Sequence, residues 1–250
     1  PDIGYKEPFL ISTFKLWSKE MTEEENEPLL KFIFLHFIQE PAPHRDYRPA
    51  ILPVNWRHNF DYSGGMITDW GARLVDISQW AMGMNNSGPF RIENILAELP
   101  SEDELYNTAP KYHFECVYEN GVRMIVTDNS NGETGITFEG DDGKCIFVTC
   151  GNIKMNPPEL RRERIQDTDT HVYKSTNHVD DFISGIYSGQ RTAAPIEASH
   201  RSISICHLAN IAIRLGRDSL DWDPKRERLI DDVAANKMLS RPIRNGLKIR

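Results

Sequence analysis

The chain of 250 residues carries 29 Lys and Arg against 37 Asp and Glu, a formal net charge of −8 at pH 7. That balance leaves no surplus of cations to displace counterions from a phosphate backbone, which excludes nucleic acid as a partner class. No run reaches the roughly 18 apolar residues of a membrane span, and no basic-then-apolar leader opens the chain, so the expectation is a cytoplasmic protein with no membrane partner. Its length suffices to bury roughly 70% of the unfolded surface, enough for one large domain or two small ones.

In chain order, Thr22 followed by Glu23, Glu24 and Glu25 resembles a capping box. The run Pro-Leu-Leu-Lys-Phe-Ile-Phe-Leu-His-Phe-Ile from residue 28 is apolar on every side and fits a buried helix or a strand equally. Residues 40–56 hold four of the fifteen prolines and read as an extended connector. Gly64 and Gly65 then permit a close backbone approach at the start of a helix expected over residues 66–82. It carries Asp69 in its first turn and stops at Gly83.

From Phe90 to Cys150 the pattern turns to short β-branched and aromatic runs, suited to an antiparallel meander. Asn120-Gly121 signals a two-residue hairpin loop. That register pairs Tyr118 with Arg123, Cys116 with Ile125 and Phe114 with Thr127 on one face, and Val117 with Met124 and Glu115 with Val126 on the other. Both faces then come out partly apolar, so one is expected against helices and the other against a second subunit. The remainder reads as helical: Asn177 or Thr176 caps one helix, and a longer one runs through Ile203, Cys206 and Ile213 to Gly216. Strands clustered between helices, with no β-α-β alternation, define an α+β class.

Cys116, Cys145, Cys150 and Cys206 form no C-x-x-C pair and read as buried, reduced thiols. No two of the sixteen glycines are separated by a single residue, so the phosphate-binding G-x-G of a dinucleotide fold is missing. P-loop, H-E-x-x-H and G-x-S-x-G patterns are missing too. His200 and His207 lie seven apart on one helix and His178 begins another. Lacking a third ligand with an open position, they give no metal site. His113 and Glu115 alternate on one strand, where they could line a pocket on the sheet.

The densest polar chemistry lies in Asp-Tyr-Ser-Gly-Gly-Met-Ile-Thr-Asp-Trp-Gly-Ala-Arg, residues 61–73. In a helix Asp69 and Arg73 are one turn apart on one face, with Asp76 a further turn along. Two carboxylates around a guanidinium make either a polar ligand site or an ion-paired helix surface. Trp56, Trp70 and Trp80 could stack a sugar ring or simply fill the core. The residues proposed to face one pocket are Arg57, Tyr62, Asp69, Trp70, Arg73 and Asp76.

The stretch from Asn55 to Gly83 resembles the G-G-x-x-x-D-x-G-x-H-x-x-D segment of the Gfo/Idh/MocA oxidoreductases, with Arg57 matching an arginine often found upstream. The segments 87–95, 135–147, 178–217 and 220–244 also resemble the ends of a subgroup of that family. The likeness runs over about residues 40–245 and divides the chain into an N-terminal segment, 1–40, and a C-terminal domain, 41–250. It implies an open, mainly antiparallel sheet with helices packed on one face, and a role in binding a sugar or polyol and in assembling a homo-oligomer, dimer or tetramer, through that sheet. The family's nucleotide-binding domain has no counterpart in these residues. No cofactor is therefore expected on this chain alone, and NAD(P) only where a Rossmann domain is supplied.

Position 73 departs from the family motif, which has its catalytic histidine there; the catalytic positions carried over are Asp69 and Arg73. Arginine stays protonated and cannot take a proton from a hydroxyl, and Arg73 one turn away weakens Asp69 as a base. The family's E-K-P lysine also lacks a match, since Tyr5-Lys6-Glu7-Pro8 has another order. Two readings follow: the substrate half of a redox enzyme, or a stand-alone, non-redox binder of carbohydrate or of a partner protein.

Overall fold

The computed structural model describes residues 42–51, 54–101 and 103–241, together with Pro28 and Lys31. The motif comparison at residues 5–8, the capping box expected at 22–25 and, apart from Pro28 and Lys31, the apolar run at 28–38 lie outside the described residues. Short 3-10 turns at Pro49–Ile51, Asn55–His58 and Gly65–Ile67 lead into helix α1, Trp70–Ala81. Strands β1 (Arg91–Glu98), β2 (Lys111–Val117) and β3 (Arg123–Thr127) follow, then β4 (Ile136–Glu139), β5 (Cys145–Thr149) and β6 (Asn152–Asn156). Helices α2 (His178–Ser188) and α3 (Ile196–Leu215) precede the hairpin β7 (Ser219–Asp223) and β8 (Arg228–Leu229), and α4 (Val233–Lys237) completes the order.

The expected single meander is instead two sheets. One is five-stranded, in the order β3-β2-β1-β7-β8, and the other joins β4, β5 and β6. All pairings are antiparallel. The α+β class holds, but residues 151–250 are not wholly helical. Leu220 and Trp222 alternate inward along β7, and their strand joins the large sheet between β1 and β8.

The hairpin register differs from the expected one by a single residue. Tyr118 N–H bonds to Val122 O and Gly121 N–H to Tyr118 O, each at 3.0 Å, so the loop is Glu119-Asn120-Gly121 with Gly121 at φ +84°. The strands therefore pair Cys116 with Met124, Phe114 with Val126 and Val117 with Arg123. Burial of charge accounts for the choice: the two-residue loop would have set Arg123 opposite Tyr118 on the core face. The observed register sends it outward. Val117 and Ile125 consequently share the outer face, where they had been expected on opposite ones.

On the outer face Arg91 meets Asp221 at 2.6 Å and Glu93 at 2.8 Å, while Arg123 meets Glu93 at 2.5 Å and Glu115 at 2.6 Å. These guanidiniums hold the Glu93 and Glu115 carboxyls below the usual range. His113 approaches Glu115 at 3.7 Å, so both belong to this ladder. The inner face carries Ile92, Phe114, Cys116 and Met124, packed in one core with Val75 of α1 and Ile205, Leu208, Ala209 and Ala212 of α3. Alanines on α3 let the helix lie close to the sheet. Helices thus cover one face. Cys116 and Cys206 are buried in this core, whereas Cys145 is half-buried and Cys150 exposed, which corrects the expectation of uniformly buried thiols.

Helix α2 is capped by Asn177, whose side chain accepts from the N–H groups of Val179 and Asp180. It is fastened by its polar side: Asp181 accepts from Tyr173 Oη at 2.6 Å and Ala193 N at 2.8 Å, and a Cβ at Gly185 would strike Thr192. Val179, Phe182, Ile183, Ile186 and Tyr187 point outward.

The buried amide of Gln79 locks the end of α1. Its Nε2 donates to Met84 O at 3.3 Å and Ser87 O at 3.1 Å, and its Oε1 accepts from the buried Tyr118 hydroxyl at 2.8 Å. Gln79→Leu strands that hydroxyl in the core and takes a donor from both carbonyls, of which Met84 O keeps its bond from Ser87 N, so a loss of about 1 to 3 kcal/mol in urea denaturation is expected. A loss under about 0.5 kcal/mol would show the amide to be dispensable.

Candidate functional site

The paired glycines exist for contact within the fold. A Cβ on Gly64 would lie 2.4 Å from Thr68 Cγ2 and 2.6 Å from Asn210 Nδ2, and one on Gly65 would lie 2.5 Å from Thr108 Oγ1. Gly64 O accepts from Asn210 Nδ2 of α3 at 2.9 Å, and Gly64 N donates to Thr68 Oγ1 at 3.1 Å. The turn is thereby pressed against α3, and the chain enters α1 with Asp69 as its N-cap residue.

An N-cap aspartate ordinarily accepts a backbone N–H of the first helical turn. Asp69 makes no such bond. Its carboxylate instead takes Arg57 Nη1 at 2.6 Å and faces Arg73 Nη2 at 3.5 Å. Arg73 lies over the Trp70 ring, 5.1 Å from its centroid. Arg57 is further steadied by its Nε bond to Val54 O at 3.1 Å.

The loop carrying Arg57 is clamped from several directions. Asn59 is buried and donates to Leu105 O at 2.7 Å, and Phe60 N donates to Asn107 Oδ1 at 2.8 Å. The guanidiniums of Arg214 and Arg241 lie 4.2 and 4.3 Å from the Phe60 ring centroid. Arg45 pairs with Asp61. Arg57 and Asp69 therefore stand on a fixed frame.

Of the six residues expected to share a pocket, Arg57, Asp69, Trp70 and Arg73 come together. Asp76 continues the line along α1 and accepts from Ser202 Oγ of α3 at 2.7 Å. Tyr62 packs instead with Tyr47, Trp56 and Leu105 around the buried Ile51. Trp56 belongs to that cluster as well, and Trp80 is half exposed.

Arg73 and Asp76 also border a groove of 610 Å³ between α1 and α3, walled by apolar Ala72, Ile196 and Ile203 and by His200. That volume lies in the range of small-molecule sites. The sequence weighed His200 only as a metal ligand, and its pairing with Glu227 of a distant hairpin emerges only in three dimensions. His58 is a second residue that spacing did not reveal. It follows Arg57 directly and stacks edge-on against Tyr106 at 6.1 Å. Burial first, and then the Arg57 charge, push its imidazole below the ordinary value, with Asp69 pulling the other way.

Among the described residues no three His, Cys, Asp or Glu side chains converge on a metal position, and no helix is long and apolar enough to cross a membrane. The Cβ side of the Gly-Gly turn is filled by Thr68, Asn210 and Thr108, and the Gly64 N–H is taken by Thr68 Oγ1.

Residues 13–249 match the model of the Gfo/Idh/MocA oxidoreductase family, C-terminal alpha/beta domain. The chain belongs to that family. Among solved structures it is similar to an NAD-binding protein from Listeria innocua, at 14% identity and a TM-score of 0.41, over 68% of this chain and 55% of that one. It is also similar to YvaA of Bacillus subtilis, a protein named as an oxidoreductase, at 14% identity and a TM-score of 0.38, over 73% and 57% of the two chains. The aligned region spans little more than half of either structure. No curated protein matches the chain.

The depressed His58 value has a measurable sign. A histidine whose folded value is lowered favours the neutral ring, so its contribution to stability is full above 6.5 and is lost as pH falls toward the folded value. Proton NMR of the imidazoles should show His58 titrating below 6.5. A value at or above it would mean that Asp69 outweighs burial.

Proposed function

We propose that this chain is the substrate-binding and oligomerisation part of an NAD(P)-dependent oxidoreductase of sugars or polyols, with the nicotinamide cofactor carried by a separate nucleotide-binding domain. The observation that carries this reading is Asp69, an N-cap carboxylate withheld from capping and set between Arg57 and Arg73, of which Arg73 also borders the groove. Such a group offers hydroxyls both donors and an acceptor. The four free cysteines suit a reducing compartment, in keeping with a cytoplasmic location.

Arg73 favours a second reading, since a permanent cation stands where the family motif has an imidazole. On that reading the chain is a non-redox binder of carbohydrate or of a partner protein. An in-frame G-x-G-x-x-G encoded upstream of Pro1 would separate the two in favour of the first.

Calorimetry with sorbitol and D-glucose tests the site. Arg73→Ala should weaken binding by about 1.5 to 3 kcal/mol, the worth of a hydrogen bond to a charged group. Unchanged affinity would remove Arg73 from the site. In the same instrument, NAD(H) should show no micromolar binding to the chain alone; such binding would overturn the assignment of the cofactor to another domain.

The outer face of the five-stranded sheet is the proposed subunit contact, with Ile125 and Leu96 exposed beside the ion-pair ladder. Light scattering at low micromolar concentration should give a multiple of 28.7 kDa. Ile125→Glu should return the monomer, and a monomeric parent would defeat the proposal.

A further inference from the structure

The α1–α3 groove is lined by His200, whose hydrogen-bonded partner lies outside the groove and is not used by the Asp69 cluster. His200 Nε2 lies 2.7 Å from Glu227 Oε1. Glu227 also holds Arg201 at 2.8 Å, and Arg201 Nη1 donates to Pro224 O at 2.6 Å, so helix and hairpin are tied together beside the imidazole.

The backbone at Glu227 is unusual. It closes the four-residue loop between the paired Asp223 and Arg228, donating its N–H to Asp223 O at 2.8 Å, and it does so at φ +52°. Glycine or asparagine takes that left-handed conformation readily, and a long side chain does not. A strained position kept at the one residue whose carboxylate reaches a groove-lining histidine is an outlier that points toward function.

The chemistry follows from the bond. In the neutral ring, a carboxylate on Nε2 keeps the hydrogen on that nitrogen and leaves Nδ1 as the acceptor. The charges around the ring are Arg73 and Asp76 from α1, Glu197 and Arg201 from α3, and Glu227 from the hairpin. Glu197 pairs with Arg201 at 2.7 Å, and Asp76 is held by Ser202. Charges so interlocked favour a neutral ligand over an ion, while Ala72, Ile196 and Ile203 suit the C–H face of a polyol.

We propose that His200 is a ligand-binding residue of this groove, its Nδ1 accepting the hydrogen bond of a hydroxyl on a neutral polyol, and that Glu227 is the positioning residue that fixes its tautomer. The inference rests on the reading of the chain as a binder of sugars or polyols, and it places an imidazole in the groove that Arg73 borders.

The test is nitrogen NMR of histidine-labelled chain with sorbitol and D-glucose as probes, alongside calorimetry. In the parent, the His200 ring should show the Nε2–H tautomer and shift on addition of either probe. His200→Ala should bind about tenfold more weakly. Glu227→Gln should lose the tautomer preference and part of the affinity. Glu227→Gly, which relieves the backbone, should lose affinity while keeping the parent's melting temperature. Probe binding that leaves His200 unshifted and survives His200→Ala overturns the inference but not the underlying reading. No binding of either probe to the parent overturns both. A Glu227→Gly variant that melts earlier yet binds as the parent does would make Glu227 structural only, and would overturn its positioning role.

Discussion

The buried hydrogen bond from Asn210 to the Gly64 carbonyl is the constraint on which the site depends. It fixes the mouth of α1 against the C-terminal part of α3, and the Ser202 to Asp76 bond midway along α1 makes the pair antiparallel. With the mouth and the middle of α1 held, the direction in which Asp69 leaves the backbone is settled by packing rather than by capping. Glycine at 64 is required because any side chain would occupy the space that Asn210 fills. The glycines expected to permit a close backbone approach are thus the means by which two helices touch, and the polar residues crowded after them are displayed by that contact.

Charge decided what hydrophobic alternation left open. In the hairpin, residues on both faces of β2 and β3 include apolar side chains, so the sequence supports either register about equally. The Asn-Gly pair also occurs in two-residue and three-residue loops. What separates the registers is Arg123, which finds Glu93 and Glu115 across three strands in one and would enter the core in the other. Glu93 lies thirty residues away on a strand that the local pattern does not place beside β3.

The parts that were legible are those with local causes. The stop of α1, the Asn177 cap and the end of α3 each depend on a few adjacent residues, and each lies where the sequence indicated, whereas α1 begins at Trp70 instead of residue 66 and holds Asp69 at its N-cap, after a separate 3-10 turn. The Arg57–Asp69–Arg73 grouping was legible through helical spacing and a family motif. Tyr62 was misplaced because its neighbour is Ile51, beyond any local periodicity. The strands β6, β7 and β8 were missed because each is short and polar residues alternate through them. His58 and the His200–Glu227 pair had no sequence signal, since one depends on burial and the other on a hairpin returning to a helix 27 residues back.

Helix α2 has a consequence of a different kind. An eleven-residue helix is marginal in water unless it buries an apolar stripe, and this one turns its stripe to solvent. Its cohesion comes from the Asn177 cap, two bonds to Asp181 and the close fit of Gly185. The amides of α2 therefore exchange with solvent through local opening, at a free energy far below that of α3, whose residues are locked in the core. The chain carries two helices of nearly adjacent sequence with separate thermodynamic lives, one coupled to global unfolding and one free to fray while the rest of the domain stays shut.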